Sequence, residues 1–400
     1  MAPTAESLAQ WAADLDPTPD DLALARRSLV DTAAVALAAR GHPLNRLVAG
    51  LPDAARWAAL GHVLDFDDLH VESTTHISVV IVPAVLATGG DARAYLAGAG
   101  VMARLGSALG WPHYAAGWHA TCTAGAPAAA VAAGTALGLS APELARAMAL
   151  AVPAASGVQN AFGTHGKSLQ VGFAAQAGVR AARLAAAGAT ADPSAVDTWL
   201  ELVGGSGAPE LSGPAVPGGL AIKVYPCCYA MQRPIAALRE VRDEVRGQVR
   251  AVRVRTPEAT VTPLLHDRPR TGLEGKFSLP YAVATALLDP YPDFAAFTDD
   301  AVTRDSAQRL LRRVELSLTP GEDGLLTGEV DIEVEHDGPR LRVRLAQPPG
   351  APTRPPTGAE LDDKLAACGD DVPGLLADAD WTRVRELLEA TFPRDGNIDG

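Results

Sequence analysis

The sequence predicts a mainly α-helical protein in which both chain ends form a large helical domain and a smaller α+β lid domain lies between them. Three observations support this. Hydrophobic residues make up 48% of the chain and charged residues 20%. The first two-thirds is rich in alanine, the best helix former. After about residue 245, apolar and polar residues alternate with the period of a β-strand.

The helical part has recognisable helix boundaries. Thr18 can cap a helix that has Pro19 at its first position and acidic residues in its first turn. Ser140 and Glu143 have the spacing of a capping box. Another alanine-rich helix is predicted for residues 173–187. Small residues on several faces of these helices indicate a closely packed bundle.

The α+β part is predicted from four alternating segments and the helix between the first two of them. The strands are expected at residues 249–256, 312–319, 328–335 and 340–346, with a helix after Pro280. The turn 336-HDG-338 should join the last two as a hairpin, in an antiparallel, half-exposed sheet. We place the domains at residues 1–222, 223–353 and 354–400, the last returning to the helical domain. A chain of 400 residues is long enough for about two domains.

Composition also excludes some classes of partner. The net charge of −13 and the pI of about 5.1 disfavour a nucleic-acid partner, because an acidic surface repels phosphates. The four cysteines lack metal-ligand spacing and are expected to be buried free thiols. We find no signal peptide and no apolar stretch suited to a membrane. These features predict a cytoplasmic protein.

The segment 65-DFDDLHVESTTH-76 is the first candidate for chemistry. Its carboxylates could form a magnesium cluster, but we find no second acidic motif and few aromatic residues for a pocket. A solvated acidic loop is the other alternative. His76 favours a functional site, because it directly precedes the apolar run 77–87, which must be buried.

Three further segments contain a histidine or a lysine that could bind an anion. His119 opens an alanine-rich helix, where a bound carboxylate would be favoured, although a core histidine is the alternative. Lys167 lies in 163-GTHGKS-168, which lacks the first glycine of a nucleotide-binding P-loop but could hold an anion. Lys223 lies at the predicted domain junction, and a lysine there needs an anionic partner.

Taken together, these motifs resemble the MmgE/PrpD family, which contains 2-methylcitrate dehydratase, cis-aconitate decarboxylase and iminodisuccinate epimerase. The resemblance covers nearly the whole chain. It rests on 64-LDFDDLH-70, 76-HISVVIVPAVLA-87, 117-GWHATCTAGAPAAAVAAGTALGLS-140, 166-GKSLQVGFAAQAGVRAARLA-185, 222-IKVYPCCYAMQRPIAAL-238 and 276-KFSLPYAVATAL-287.

The resemblance implies a homodimer with a cofactor-free, metal-free site between the domains. It assigns the site to Asp65, His76, His119, Lys167 and Lys223, with Tyr281 near the cleft. We expect Thr121 and Gln170 to contact the substrate as well.

The chemistry suits these residue types. Removing a proton next to a carboxylate builds negative charge, which fixed lysines can stabilise. His119 or His76 would act as the general acid or base, with Asp65 orienting a histidine and Lys167 and Lys223 binding carboxylates. Asp67 and Asp68 are expected to be structural.

Departures from the family pattern leave the reaction open. Leu69 replaces a common threonine, Gln170 a common histidine, and Met231 and Gln232 stand where members often have a histidine. The leading hypothesis is a dehydratase or decarboxylase acting on a citrate-like or aconitate-like acid. An epimerase of a dicarboxylate is the alternative, and a catalytically idle carboxylate-binding member is a third.

Overall fold

The structure is a computed structural model that describes residues 2–205 and 208–393. Residues 394–400 of the predicted C-terminal segment lie outside the described residues. Ten helices precede the β-sheet region in these ranges: α1 Thr4–Ala13, α2 Pro19–Ala38, α3 Leu44–Leu47, α4 Asp53–Val63, α5 Ser78–Leu86, α6 Ala92–Ala115, α7 Ala120–Ala136, α8 Ala141–Ala151, α9 His165–Ala186 and α10 Ala195–Leu202.

A mixed helix and strand region comes next: α11 Tyr229–Val241, β1 Ala251–Pro257, α12 Glu258–Val261, α13 Gly272–Gly275, α14 Leu279–Leu288, α15 Asp299–Thr303, α16 Asp305–Leu311, β2 Val314–Thr319, β3 Val330–Glu335 and β4 Leu341–Leu345. Three helices end the described chain: α17 Gly358–Ala367, α18 Val372–Leu376 and α19 Trp381–Thr391. None of the described helices has the length and hydropathy that a membrane span requires.

The predicted local signals are confirmed. Thr18 accepts a hydrogen bond from the backbone of Asp21 in a capping box at the start of α2, and Ser140 and Glu143 form the same motif at α8. All four predicted strands are present, and β3 pairs antiparallel with β4. The four cysteines are free and buried.

The prediction of a purely antiparallel sheet is wrong. The strand order is β2-β1-β3-β4, and β1 pairs parallel with β2, Val254 lying opposite Leu316. The reason lies in the connection, because a hairpin turn cannot join parallel strands and a long crossover can. Helices α12–α16 form that crossover, so the sheet is mixed.

Buried apolar side chains form two large clusters. The first collects residues from α1–α10 and, from the C-terminal segment, Cys368, Val372, Leu376 and four residues between 379 and 392. The second collects Phe162 and residues from 224–343. The domain limits at residues 222 and 353 stay predictions.

Close contacts fix the helices of the first cluster relative to one another. A Cβ atom at Gly178 of α9 would lie 2.4 Å from the Cβ atom of Ala129 on α7. A Cβ atom at Gly172 would lie 2.4 Å from the carbonyl oxygen of Ala55 on α4. Only glycine permits these distances, so α4, α7 and α9 approach with their backbones nearly in contact. This packing sets the positions of the side chains at the helix ends.

Candidate active site

A buried pocket lies where four helices begin. His76 lies two residues before α5, His119 caps α7, Lys167 is in the first turn of α9, and Tyr229 begins α11. The N-terminus of a helix carries partial positive charge. Four such ends around one space favour an anion there, before any side-chain charge is counted.

The pocket lining mixes charged and apolar groups. It consists of Asp65, Leu69, Thr74, His76, Tyr114, His119, Phe162, Lys167, Cys228, Tyr229 and Phe277. The open volume is about 20 Å³, which holds about one water molecule. A carboxylic acid therefore enters only when the walls move apart.

Asp65 lies between two lysines at the pocket wall. Its Oδ1 accepts hydrogen bonds from Lys167 Nζ at 2.9 Å and from Lys223 Nζ at 3.0 Å, and Lys223 also donates to the Asp65 carbonyl oxygen. Burial alone would raise the pKa of Asp65, but the two lysines outweigh it and hold that pKa well below its ordinary value. Asp65 is therefore ionised, and its Oδ2 is buried without a partner among the described residues.

The backbone of Asp65 is in the left-handed region, with φ of 53°. Aspartate tolerates this conformation better than most residues do. The turn after α4 thus places the carboxylate beside lysines that are more than a hundred residues away in sequence. Strained backbone of this kind is often found at functional sites.

His62, which the sequence patterns did not single out, connects the lysines to a second carboxylate. Its Nε2 is 2.7 Å from Lys167 Nζ, which can only donate, so Nε2 is unprotonated. Its Nδ1 therefore carries the proton and donates to Asp67 Oδ2 at 2.8 Å. Burial lowers the pKa of His62 to about 4, against the opposing effect of Asp67, and keeps the ring neutral. A histidine inside the apolar helix α4 was the sequence signal for this residue.

His76 has its proton fixed on the side away from the pocket. Its Nδ1 is 2.8 Å from the carbonyl oxygen of Asp68, an acceptor, and 3.1 Å from Asp67 Oδ2. Nδ1 is therefore protonated, and Nε2 has a free lone pair with no protein partner among the described residues. Burial lowers the pKa of His76 despite Asp67, so the ring is a neutral base. Asp65, predicted to orient a histidine, contacts the lysines instead, and Asp67 contacts His76.

His119 is the second free imidazole. Its Nδ1 lies 3.2 Å from Cys122 Sγ, and its Nε2 is buried without a partner among the described residues. Phe162 packs edge-on against the ring, with centroids 5.0 Å apart. Burial, reinforced by Lys167, holds the pKa of His119 well below its ordinary value. Two neutral histidines thus line one pocket.

The remaining predicted residues have other contacts. Thr121 Oγ1 accepts from the backbone N–H of His76 at 3.0 Å and so positions that histidine. Gln170 makes two hydrogen bonds with the backbone of Val158, outside the pocket lining. The Tyr281 hydroxyl donates to the Ala296 carbonyl oxygen at 2.5 Å, also outside the lining.

The residues that depart from the family pattern differ in whether they line the pocket. Leu69 lines the pocket, as does Cys228. Gln232 does not, because its amide is hydrogen-bonded to the backbone of Val224, Tyr225 and Cys227 and fixes the turn before α11. This glutamine therefore has a structural role in shaping the segment that carries Lys223.

A third buried lysine lies close to this centre. Lys276 Nζ donates to the carbonyl oxygens of Leu64, at 2.9 Å, and Pro226, at 2.5 Å. Burial lowers the pKa of Lys276 to about 8, although Asp65 opposes the shift. The sequence motif 276–287 contains this lysine, but no pattern there marked it as a site residue. Three buried lysines, Lys167, Lys223 and Lys276, therefore lie around Asp65.

One group of described residues could hold a metal ion. Ligand atoms of His62, Asp67 and His76 all lie within 4.8 Å of one another. Their hydrogen bonds are already mutually consistent, because both Nδ1 atoms donate and Asp67 Oδ2 accepts. A cation would have to displace both ring protons. The donor set is therefore explained by hydrogen bonding alone.

Comparisons with known proteins identify the family of this chain. A family model described as the MmgE/PrpD N-terminal domain matches residues 50–198, and one described as the MmgE/PrpD C-terminal domain matches residues 225–389. The chain is 26% identical over 382 residues to "Cis-aconitate decarboxylase" of Aspergillus terreus. That alignment covers 84% of this chain and 76% of the relative. The same figures hold for the protein of that name from strain NIH 2624 / FGSC A1156.

Proposed function

The chain belongs to the MmgE/PrpD family, and on that premise we propose that it is a lyase for a small tricarboxylate-like acid. The reaction proceeds by proton transfer at a carbon next to a carboxylate, with no metal or organic cofactor. One observation carries the proposal: two neutral histidines with free Nε2 atoms line a pocket beside three buried lysines. The relative named cis-aconitate decarboxylase supports the substrate class.

The lysines provide the binding energy for the anion. Lys167 and Lys223 are held by one oxygen of Asp65, within 3.0 Å. Asp65 supplies one negative charge to these two lysines. A substrate carboxylate next to them supplies a second. Because the surroundings exclude water, the attraction is stronger than at a surface.

The histidines transfer the proton. His76 Nε2 is unprotonated, faces the pocket, and is held in that tautomer by Asp67 and Asp68. It removes or returns a proton at carbon while negative charge grows on the substrate carboxylate, where the lysines stabilise it. His119 Nε2 is the second site of proton transfer, and it exchanges a proton with the leaving group or with the product carbon.

Epimerisation of a dicarboxylate is the second candidate. Inversion at a carbon acid needs one proton-transfer group on each face, and the presence of two imidazoles in one pocket supports this candidate. A dehydratase and an epimerase share the removal of a proton from carbon, whereas a decarboxylase releases carbon dioxide and adds a proton to carbon. The dehydratase and the epimerase differ in the next step, which is loss of water in the dehydratase and return of a proton to the opposite face in the epimerase.

Incubation in deuterated water, with detection by proton NMR, tests the proposal. Purified protein is given citrate, methylcitrate, cis-aconitate or iminodisuccinate. Loss of water or carbon dioxide supports the lyase, and deuterium incorporation without net loss supports the epimerase. If none of these acids is converted or exchanged, the proposal is wrong.

A further inference from the structure

Tyr229 is a pocket residue without an assigned role. It is the first residue of α11, its side chain is 2% exposed, and it packs with Leu69 and Tyr114. It lines the same pocket as the two histidines and Lys167. The hydroxyl is buried and has no hydrogen-bond partner among the described residues.

Three other tyrosines, two of them buried and Tyr291 exposed, have the hydroxyl partner that Tyr229 lacks. The hydroxyl of Tyr281 donates to the Ala296 carbonyl oxygen, that of Tyr291 donates to the Val224 carbonyl oxygen, and that of Tyr95 is paired with a serine hydroxyl. A buried hydroxyl without a partner costs stability. Such a cost is tolerated where a ligand supplies the missing partner.

The surroundings indicate which partner fits. Arg233, one turn further along α11, is fully buried and donates to carbonyl oxygens and to the Thr260 hydroxyl. Within the described ranges no carboxylate pairs with it, so its charge is not neutralised. This charge and the N-terminus of α11 both favour an anion beside Tyr229.

Burial also raises the pKa of the Tyr229 phenol above its ordinary value, against the opposing effect of Arg233. The group is therefore a neutral donor at every physiological pH. A neutral donor binds an anionic oxygen without adding charge to the pocket. The Tyr229 hydroxyl is one of the buried polar groups of the described residues that have no partner.

We propose that the Tyr229 hydroxyl donates a hydrogen bond to a carboxylate oxygen of the substrate. The inference rests on the proposed function. It divides the binding of a polycarboxylate between two places, with Lys167 and Lys223 near one carboxylate and Tyr229 at another. Tyr229 is thus a substrate-binding residue and takes no part in proton transfer.

Tyr229→Phe removes only the unpaired oxygen and tests the inference. The probe is tricarballylate, which carries three carboxylates and no hydroxyl to lose, measured by calorimetric titration. We expect the variant to bind about ten- to a hundred-fold more weakly, as for a hydrogen bond to a charged group. With a converted acid, KM should rise and kcat should change little. The thermal midpoint should be equal or higher, because a buried unpaired hydroxyl is lost.

Tyr291→Phe is the matched control. It removes a hydroxyl that is bonded to Val224, outside the pocket, so the thermal midpoint should fall while tricarballylate affinity stays at the wild-type value. Wild-type affinity and KM in Tyr229→Phe would overturn the inference and leave the proposed function intact. If the wild type binds no carboxylic acid and converts none, the proposed function fails, and the inference with it.

Discussion

Replacing Asp65 with asparagine should strongly destabilise the protein. Asp65 Oδ1 lies 2.9 and 3.0 Å from the two lysine nitrogens. At an effective dielectric constant of about 20, each contact is worth roughly 5 kcal/mol before desolvation is subtracted. Asparagine keeps the shape but leaves two buried cations without a counter-charge, which typically costs about 3–5 kcal/mol. We expect Asp65→Asn to lose this much free energy of unfolding at pH 7.

The assay is urea unfolding monitored by tryptophan fluorescence, repeated across pH. The sign of the pH dependence is set by the lowered pKa of Asp65. Its contribution is complete above the unfolded value of about 3.8 and is lost as pH falls through the folded pKa. The gap between wild type and variant should therefore be constant near neutrality and shrink only in strong acid.

Asp305→Asn is the control for this measurement. Asp305 forms an exposed pair with Arg309 at 3.8 Å, and such pairs contribute little. Its removal should leave the unfolding free energy almost unchanged. If Asp65→Asn stays within about 1 kcal/mol of wild type, the reasoning about buried charge at this site is refuted.

Three further outcomes are expected. His119→Gln should lower kcat by about 10²–10⁴ with cooperative unfolding retained, and a wild-type kcat would remove His119 from the mechanism. Because the pKa of Lys276 is lowered to about 8, its charge is lost as pH rises through 8 and KM should rise there. In Lys276→Met, KM should not rise between pH 7 and 9. If KM rises as in the wild type, another group causes the rise. Chelators should leave turnover unchanged, since both Nδ1 atoms of His62 and His76 are hydrogen-bonded to oxygen acceptors, whereas inhibition reversed by added metal would contradict this.

Local features were predictable from the sequence because their causes are local. The capping residues of α2 and α8 act within one turn, and strand alternation reflects one buried face. The hairpin between β3 and β4 results from a short turn. For the same reason the parallel pairing of β1 with β2 was missed, because pairing direction depends on how a long crossover returns.

The site was only partly predictable. The sequence marked Asp65, His76, His119, Lys167 and Lys223 as candidates, and the order of their motifs indicated a family. Which of them touch depends on packing between distant segments. Partners therefore differ from expectation, as Asp67 shows by contacting His76.

The sequence by itself determined the helices, the strands and the charged or imidazole residues that have no place in an apolar core. The tertiary structure alone decided that His62 connects Lys167 to Asp67, that four helix ends converge, and that Tyr229 keeps an unpaired hydroxyl. The physical reason is that hydrophobic periodicity reports whether a residue is buried, whereas a hydrogen bond requires a particular partner within about 3 Å. That distance is set only when helices distant in sequence pack together.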